Sequence, residues 1–143
     1  MNILVVGCGR VGANLVRQLD DAGHDVAVLD DEVDSLKRLS EFDDYNFTGV
    51  AVIGVPIDVD VLRQAGIETC DAVASVTDND NINIMVAEIA RDIFHVNRVV
   101  CRVADPTRNK TFSRQFGLDT ICPTDLTVQA TLNKLTLGGD HNE

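Results

Sequence analysis

A chain that holds a phosphate needs backbone N–H groups aimed at one spot and no bulky side chains in the way. The run Gly7, Cys8, Gly9, Arg10, Val11, Gly12 offers this arrangement. It is a G-x-G-x-x-G pattern that directly follows an apolar segment, Asn2–Val6, and opens a helical pattern. Each glycine has its own use at that spacing. Gly7 allows a tight turn, Gly9 lets the backbone approach a pyrophosphate, and Gly12 lets the helix pack close to the strand. The first N–H groups of the helix then face the anion, with the positive end of the helix dipole behind them. A plain strand-to-helix turn needs one or two glycines, so the third argues for a nucleotide. Arg10 stands inside the run. A cation at a helix N-terminus is unfavourable unless an anion is near, so its side chain is expected on the phosphates or swung out to the surface.

Asp30 is the second chemical group. It ends the apolar run "VAVLD", close to the interval of about 20 residues at which a carboxylate accepts from ribose hydroxyls. The competing reading is a solvated turn aspartate. On the ribose, this carboxylate would repel a 2′-phosphate, and Asp31 adds to that repulsion, which disfavours NADP. Other reactive side chains are less suggestive. Cys8, Cys70, Cys101 and Cys122 form no C-x-x-C pair and read as small buried hydrophobes. His24, His95 and His141 lack metal-ligand spacing.

These groups must be placed by a scaffold, and the apolar periodicity predicts one. Segments Asn2–Val6, Asp25–Leu29, Phe47–Ile53, Ala72–Val76, Arg98–Val103 and Thr120–Cys122 read as strands. The early ones are nearly continuous in Val and Ile, as parallel strands covered on both faces are. Helices are predicted between them over Val11–Ala22, Asp34–Phe42, Val59–Ala65, Asn81–Phe94, Thr107–Phe116 and Leu126–Leu137. Gly23 and Gly66 read as C-terminal caps, Asp58 and Thr124 as N-caps, and Pro106 with Thr107 as a helix start. The alternation gives an α/β fold, a Rossmann-like doubly wound parallel six-stranded sheet of order 3-2-1-4-5-6.

The chain has 143 residues, a one-domain length. Its formal net charge is −11, with 23 Asp and Glu against 12 Lys and Arg. That excess argues against nucleic acid and anionic membrane as direct partners. The scarcity of lysine (Lys37, Lys110 and Lys134) beside so many aspartates resembles proteins of a high-salt, halophilic cytoplasm. No run approaches the roughly 20 apolar residues of a membrane helix. Met1 leads straight into a strand pattern, so a soluble, cytoplasmic protein without a signal peptide is expected.

The middle of the sequence is more specific. "LRQAGI" (Leu62–Ile67), "CDAV" (Cys70–Val73), "TDNDNIN" (Thr77–Asn83), "RVADP" (Arg102–Pro106) and "FGLDTICP" (Phe116–Pro123), with Gly54 after the third strand, resemble an RCK domain, also called KTN or TrkA-N. Such domains are cytosolic nucleotide-binding regulators of Trk and Ktr potassium uptake systems and of some potassium channels. The resemblance runs from Met1 to about residue 135. It implies that Gly7, Gly9, Arg10, Val11 and Gly12 hold phosphates and that Asp30 holds the adenosine ribose. It implies that Gly54, Val55 and Pro56 lie along the adenine, that Thr77 and Asp78 flank the phosphate or nicotinamide side, and that Arg102 reaches a ligand phosphate. The implied cofactor is NAD(H) or ADP/ATP.

Two departures stand out. Members commonly have Asp after the glycine of the third strand; here Val55 removes an acceptor for the exocyclic amine. Some members bind a cation between subunits through a Glu where this chain has Thr124 followed by Asp125. The cation site is therefore expected to be missing or moved onto Asp125. The resemblance also implies a smaller C-terminal lobe that these 143 residues do not contain. Residues 1–137 are expected to form the N-terminal domain and 138–143 a tail. In the family the last helix crosses to a neighbouring subunit, which implies a homodimer or larger ring; packing on its own sheet is the plainer reading.

The function expected is regulatory: a module that binds an adenine nucleotide and gates a membrane-embedded potassium transporter or channel from the inner face of the membrane. The other readings are a fragment of an NAD-dependent oxidoreductase and a nucleotide-binding interaction module unconnected with ion transport. Hydride transfer needs a placed acid or base, and neither His24 nor His95 is placed beside the glycine run.

Overall fold

The computed structural model describes residues 1–137; the tail expected over 138–143 lies outside the described residues. Strand β1 (Asn2–Val6) leads into α1 (Arg10–Asp21), followed by β2 (Asp25–Asp30) and a short α2 (Val33–Leu36) that tightens into a 3₁₀ turn (Lys37–Ser40). Then come β3 (Val50–Ile53), α3 (Val59–Gln64), β4 (Ala72–Ser75) and α4 (Asp80–Glu88), which runs on as a π-helical turn over Ile89–Ile93. The chain continues as β5 (Arg98–Arg102), α5 (Pro106–Arg114), β6 (Asp119–Ile121) and α6 (Pro123–Leu132) with a second π turn over Asn133–Leu137.

All strand pairs are parallel and the order is β3-β2-β1-β4-β5-β6, the order read from the sequence. The reason is visible in β1. Ile3 and Val5 enter one core with Val26, Val28 and the α1 residues Ala13 and Val16. Leu4 and Val6 enter the other with Leu29, Leu62, Val73 and Val86. Period-two alternation along a strand whose last four side chains are all apolar therefore fills both faces.

The caps explain most boundaries. Gly23 and Gly66 take φ of 91° and 92° and end α1 and α3; there His24 N donates to Leu19 O and Ile67 N to Leu62 O, the long bond of a Schellman turn. Asp58, Asn79 and Asp105 cap α3, α4 and α5 through their side chains.

Four expectations are corrected. The strand expected from Phe47 begins at Val50, because Gly49 passes so close to Val26 O that a Cβ there would sit 2.2 Å from it. The helix expected over Asp34–Phe42 is one α turn and one 3₁₀ turn. Thr124 is not an N-cap: α6 starts at Pro123, and the Thr124 hydroxyl donates to Ala104 O at 2.6 Å. Nor does α6 pack on its own sheet, since none of its residues is buried.

Candidate functional site

The strand order reverses between β1 and β4, so the loops leaving their carboxyl ends diverge and open a cleft of about 360 Å³. Gly7, Gly9 and Arg10 form its floor after β1. Asp30, Asp31, Glu32, Ser35 and Arg38 line it after β2, Pro56 after β3, and Thr77, Asp78 and Ile82 after β4.

The glycines are needed for different reasons. Gly7 has φ 105°, and a Cβ there would lie 2.8 Å from Thr77 N. A Cβ on Gly12 would lie 1.7 Å from Gly7 O, so α1 seats directly on the turn. At Gly9 a Cβ would meet nothing within 4 Å. Its bareness serves no packing need; it leaves room in the cleft. Gly9 is also the N-cap of α1 and has no side chain to cap with. The first N–H groups of α1 thus face a cavity beside the Arg10 side chain, which is the arrangement that accepts an anion.

Asp30 is 9% exposed and holds the turn together. Its Oδ2 accepts from Cys8 N at 2.7 Å and its Oδ1 from Glu32 N at 2.9 Å. A carboxylate has about four acceptor positions, so lone pairs remain for ribose hydroxyls. The neighbouring Asp31 carboxyl is pushed up, first by burial and then by its hydrogen bond to Asp30. Burial pushes the Cys8 thiol up to about 11, with the Asp30 charge adding and Arg38 opposing. Cys8 is therefore a neutral packing group under the loop. Cys101 and Cys122 are also buried and Cys70 half-buried, all free thiols.

The wall after β4 is built around Asn83, a fully buried side chain of α4. Its Oδ1 accepts from Thr77 N at 2.9 Å and Thr77 Oγ1 at 2.6 Å. Its Nδ2 donates to Thr77 O at 2.9 Å and Arg102 O at 3.0 Å. Asp80 takes Ala104 N and Asp105 N on its two oxygens, at 2.8 and 3.0 Å. Most of "TDNDNIN" is thus spent on holding the loops after β4 and β5 together.

Of the residues picked from sequence, the cleft wall gathers Gly7, Gly9, Arg10, Asp30, Asp31, Pro56, Thr77 and Asp78. Cys8 and Gly12 support it from below. Val11 and Val55 are exposed, and Gly54 packs against Val61, which a Cβ would approach to 2.7 Å. Arg102 points elsewhere: its Nη1 donates to Thr77 O at 2.7 Å, and it lines a separate hollow with Thr124, Thr127 and Val128. Glu32, Ser35, Arg38 and Ile82 were not singled out from sequence. The expected helix over residues 34–42 conceals the turn that brings Ser35 and Arg38 inward.

A larger hollow of about 410 Å³ opens at the opposite, amino edge of the sheet, lined by Asp20, His24 and Asp25 among others. Helices α1 and α3 end there, so it meets negative dipole ends and carboxylates, the wrong sign for a nucleotide. His24 contacts the N-terminal amine at 3.1 Å, and His95 follows the π turn after α4 with φ 54°. Asp125 is exposed, and no group of three or more His, Cys, Asp or Glu converges on a metal position among the described residues. No helix there is long and apolar enough to cross a membrane.

A six-stranded doubly wound sheet with a glycine-rich turn at its switch point defines the class: a Rossmann-like α/β domain. The chain belongs to the TrkA-N domain family, whose model matches residues 3–123. It is similar to the Trk system potassium uptake protein TrkA of Streptomyces coelicolor, 40% identical over 139 residues, 97% of this chain and 60% of that protein. The chain thus spans about three-fifths of that relative's length. Among solved structures, the TrkA-N domain of inner membrane protein YbaL from Escherichia coli superposes with a TM-score of 0.79 at 18% identity, covering 94% of this chain and 96% of that one. The GsuK structure bound to ADP gives 0.76 at 22% identity, covering 96% of this chain and 34% of that one.

Proposed function

We propose that this chain is the nucleotide-binding regulatory domain of a potassium transport system. It binds NAD(H) or ADP/ATP in the cleft and passes occupancy to a membrane-embedded transporter or channel from the cytoplasmic face. The observation that carries this reading is the capless start of α1. Gly9 leaves open space beneath a bare helix N-terminus, with Arg10 on one side and the Asp30 carboxylate on the other. Phosphates suit the first of these groups and ribose hydroxyls the last. The similarity to a Trk potassium uptake protein and to an ADP-bound GsuK structure supports the choice of ligand and system.

A ligand shifts a conformational equilibrium only through different affinities for the two states. Hydrogen bonds supply a path for such a shift. Thr77 on the cleft wall is tied through Asn83 to the Arg102 carbonyl. Asp80 holds Ala104, and Ala104 holds Thr124 in the first turn of α6. Leu126, Val128 and Leu132 of α6 and Leu135 of the π turn after it are exposed, which supports a second copy packing there and a dimer or ring as the working unit. Hydride transfer gains no support from His24 or His95, since neither lines the cleft.

Calorimetric titration with ADP, ATP, NAD and NADH is the test. At least one should bind saturably, and Arg10→Ala should weaken it by about 1–3 kcal/mol through loss of a charge-assisted phosphate contact. If none binds, the regulatory reading has no signal to regulate with.

A further inference from the structure

Arg38 has no part in the function proposed above, yet it lines the same cleft as Arg10, from the turn after β2. Its position is fixed by its neighbours. Leu39 is 5% exposed in the core beneath, and Leu36 packs against that core. Residues three apart on a 3₁₀ turn share a side. The pair Asp34 and Lys37 faces outward and closes an ion pair of 3.1 Å. The next pair, Ser35 and Arg38, faces the cleft. Three carboxylates from the β2 side line the cleft with it, yet the Arg38 side chain forms no hydrogen bond or ion pair among the described residues. It lies near enough to Cys8 to oppose the rise in that thiol's pKa.

We propose that Arg38 is a nucleotide-binding residue for the adenosine half of the ligand, laying its guanidinium plane against the purine and ribose while Arg10 serves the phosphates. The proposal rests on the nucleotide reading of the cleft. Its chemistry follows from placement. Arg38 follows β2, whose Asp30 marks the ribose, whereas the start of α1 that suits the phosphates follows β1. A second phosphate beside Asp30, Asp31 and Glu32 would meet three negative charges. A neutral aromatic base would not, and a guanidinium plane stacks on such a base. Ser35 and Arg38 also compensate in part for the lack of a carboxylate at Val55, because stacking grips a purine without reading its edge.

The test compares adenosine, AMP and ADP on the 143-residue chain and on its Arg38→Ala, Arg38→Lys and Arg10→Ala variants, each checked for an unchanged melting profile. Arg38→Ala should weaken all three ligands by the same factor, about tenfold. Arg38→Lys should lose most of that factor, because it keeps the charge and loses the plane. Arg10→Ala should weaken AMP and ADP and leave adenosine unchanged. An Arg38→Ala loss that grows with the number of phosphates overturns the proposal, and so does no loss at all. If the unaltered chain binds none of the three, nor ATP, NAD or NADH, the nucleotide reading itself fails, which is a separate outcome; binding of NAD or NADH alone, with no affinity for adenosine or AMP, overturns the Arg38 proposal.

Discussion

At Gly12 a side chain has nowhere to go: its first carbon would fall 1.7 Å from the Gly7 carbonyl oxygen. At Gly9, three residues earlier, the same carbon would hang in open space. Gly12→Ala should therefore cost about 3 kcal/mol or more, because backbone on both sides must move. Gly9→Ala should melt within about 1 kcal/mol of the parent, since Gly9 already has an ordinary extended φ of −72°. Its nucleotide affinity should fall by at least about tenfold, because the methyl group occupies the phosphate's approach. Scanning calorimetry and nucleotide titration of the two variants separate these effects; undiminished binding by Gly9→Ala would place the phosphate elsewhere.

The buried thiols make a second prediction at this scale. Cys8 and Cys101 titrate near 11 in the fold, against an ordinary 9.0, mainly through burial. Between those values the unfolded chain has released protons that the folded chain keeps. Stability is fully present below pH 9.0 and falls as pH rises toward 11, by up to about 1.4 kcal/mol per pH unit for each thiol. Denaturant titrations across that window should show the decline, and Cys101→Ala should make it shallower.

Among the elements, α4 carries the most unusual side chain. Asn83 stands fully buried and gives all its hydrogen-bonding capacity to the loops after β4 and β5. Asn83→Ala takes the side-chain partner from Thr77 N and Arg102 O, while Thr77 O keeps Arg102 Nη1, so a loss of about 3 kcal/mol is expected, together with weaker nucleotide binding as Thr77 loosens. A denaturation midpoint close to the parent's would mean that water replaces the amide. This role was only half legible in sequence. The apolar runs gave the strands, their parallel sense and their order, because covering both faces of a sheet leaves a plain hydrophobic signature. The glycine run and Asp30 were legible because a tight turn under a helix start, and the carboxylate that ties it to β2, need fixed residue types at fixed spacing. Asn83 sits in a polar string where nothing marks which amide turns inward. Arg38 was hidden because the break between α2 and its 3₁₀ turn depends on Leu36 and Leu39 seeking the core, a tertiary demand. The start of β3 was misplaced for the same kind of reason: "FTGV" has strand composition, but Gly49 must slip past Val26 O.

Across the whole molecule, charge dominates. With a formal net charge of −11, carboxylates repel one another over distances that salt screens. The melting temperature should climb with KCl from low to molar concentration; a steady fall would remove the basis for a salt-adapted surface. The exposed apolar residues of α6 and of the π turn after it give a prediction about assembly. Leu126, Val128, Leu132 and Leu135 are 59%, 52%, 47% and 77% exposed. Sedimentation should find a dimer or larger species, and Leu132→Glu with Leu135→Glu should return it to a single copy.

Helix α6 touches the body of the domain at one end, through Cys122, Pro123 and the Thr124 hydroxyl. It therefore works like a mast stepped in a socket. With a rise of about 1.5 Å per residue, a tilt of about 10° at Thr124 carries Leu135 sideways by roughly 3 Å. Any small adjustment where Ala104 meets Asp80 would therefore be magnified at the far tip into a displacement comparable to the width of a methyl group.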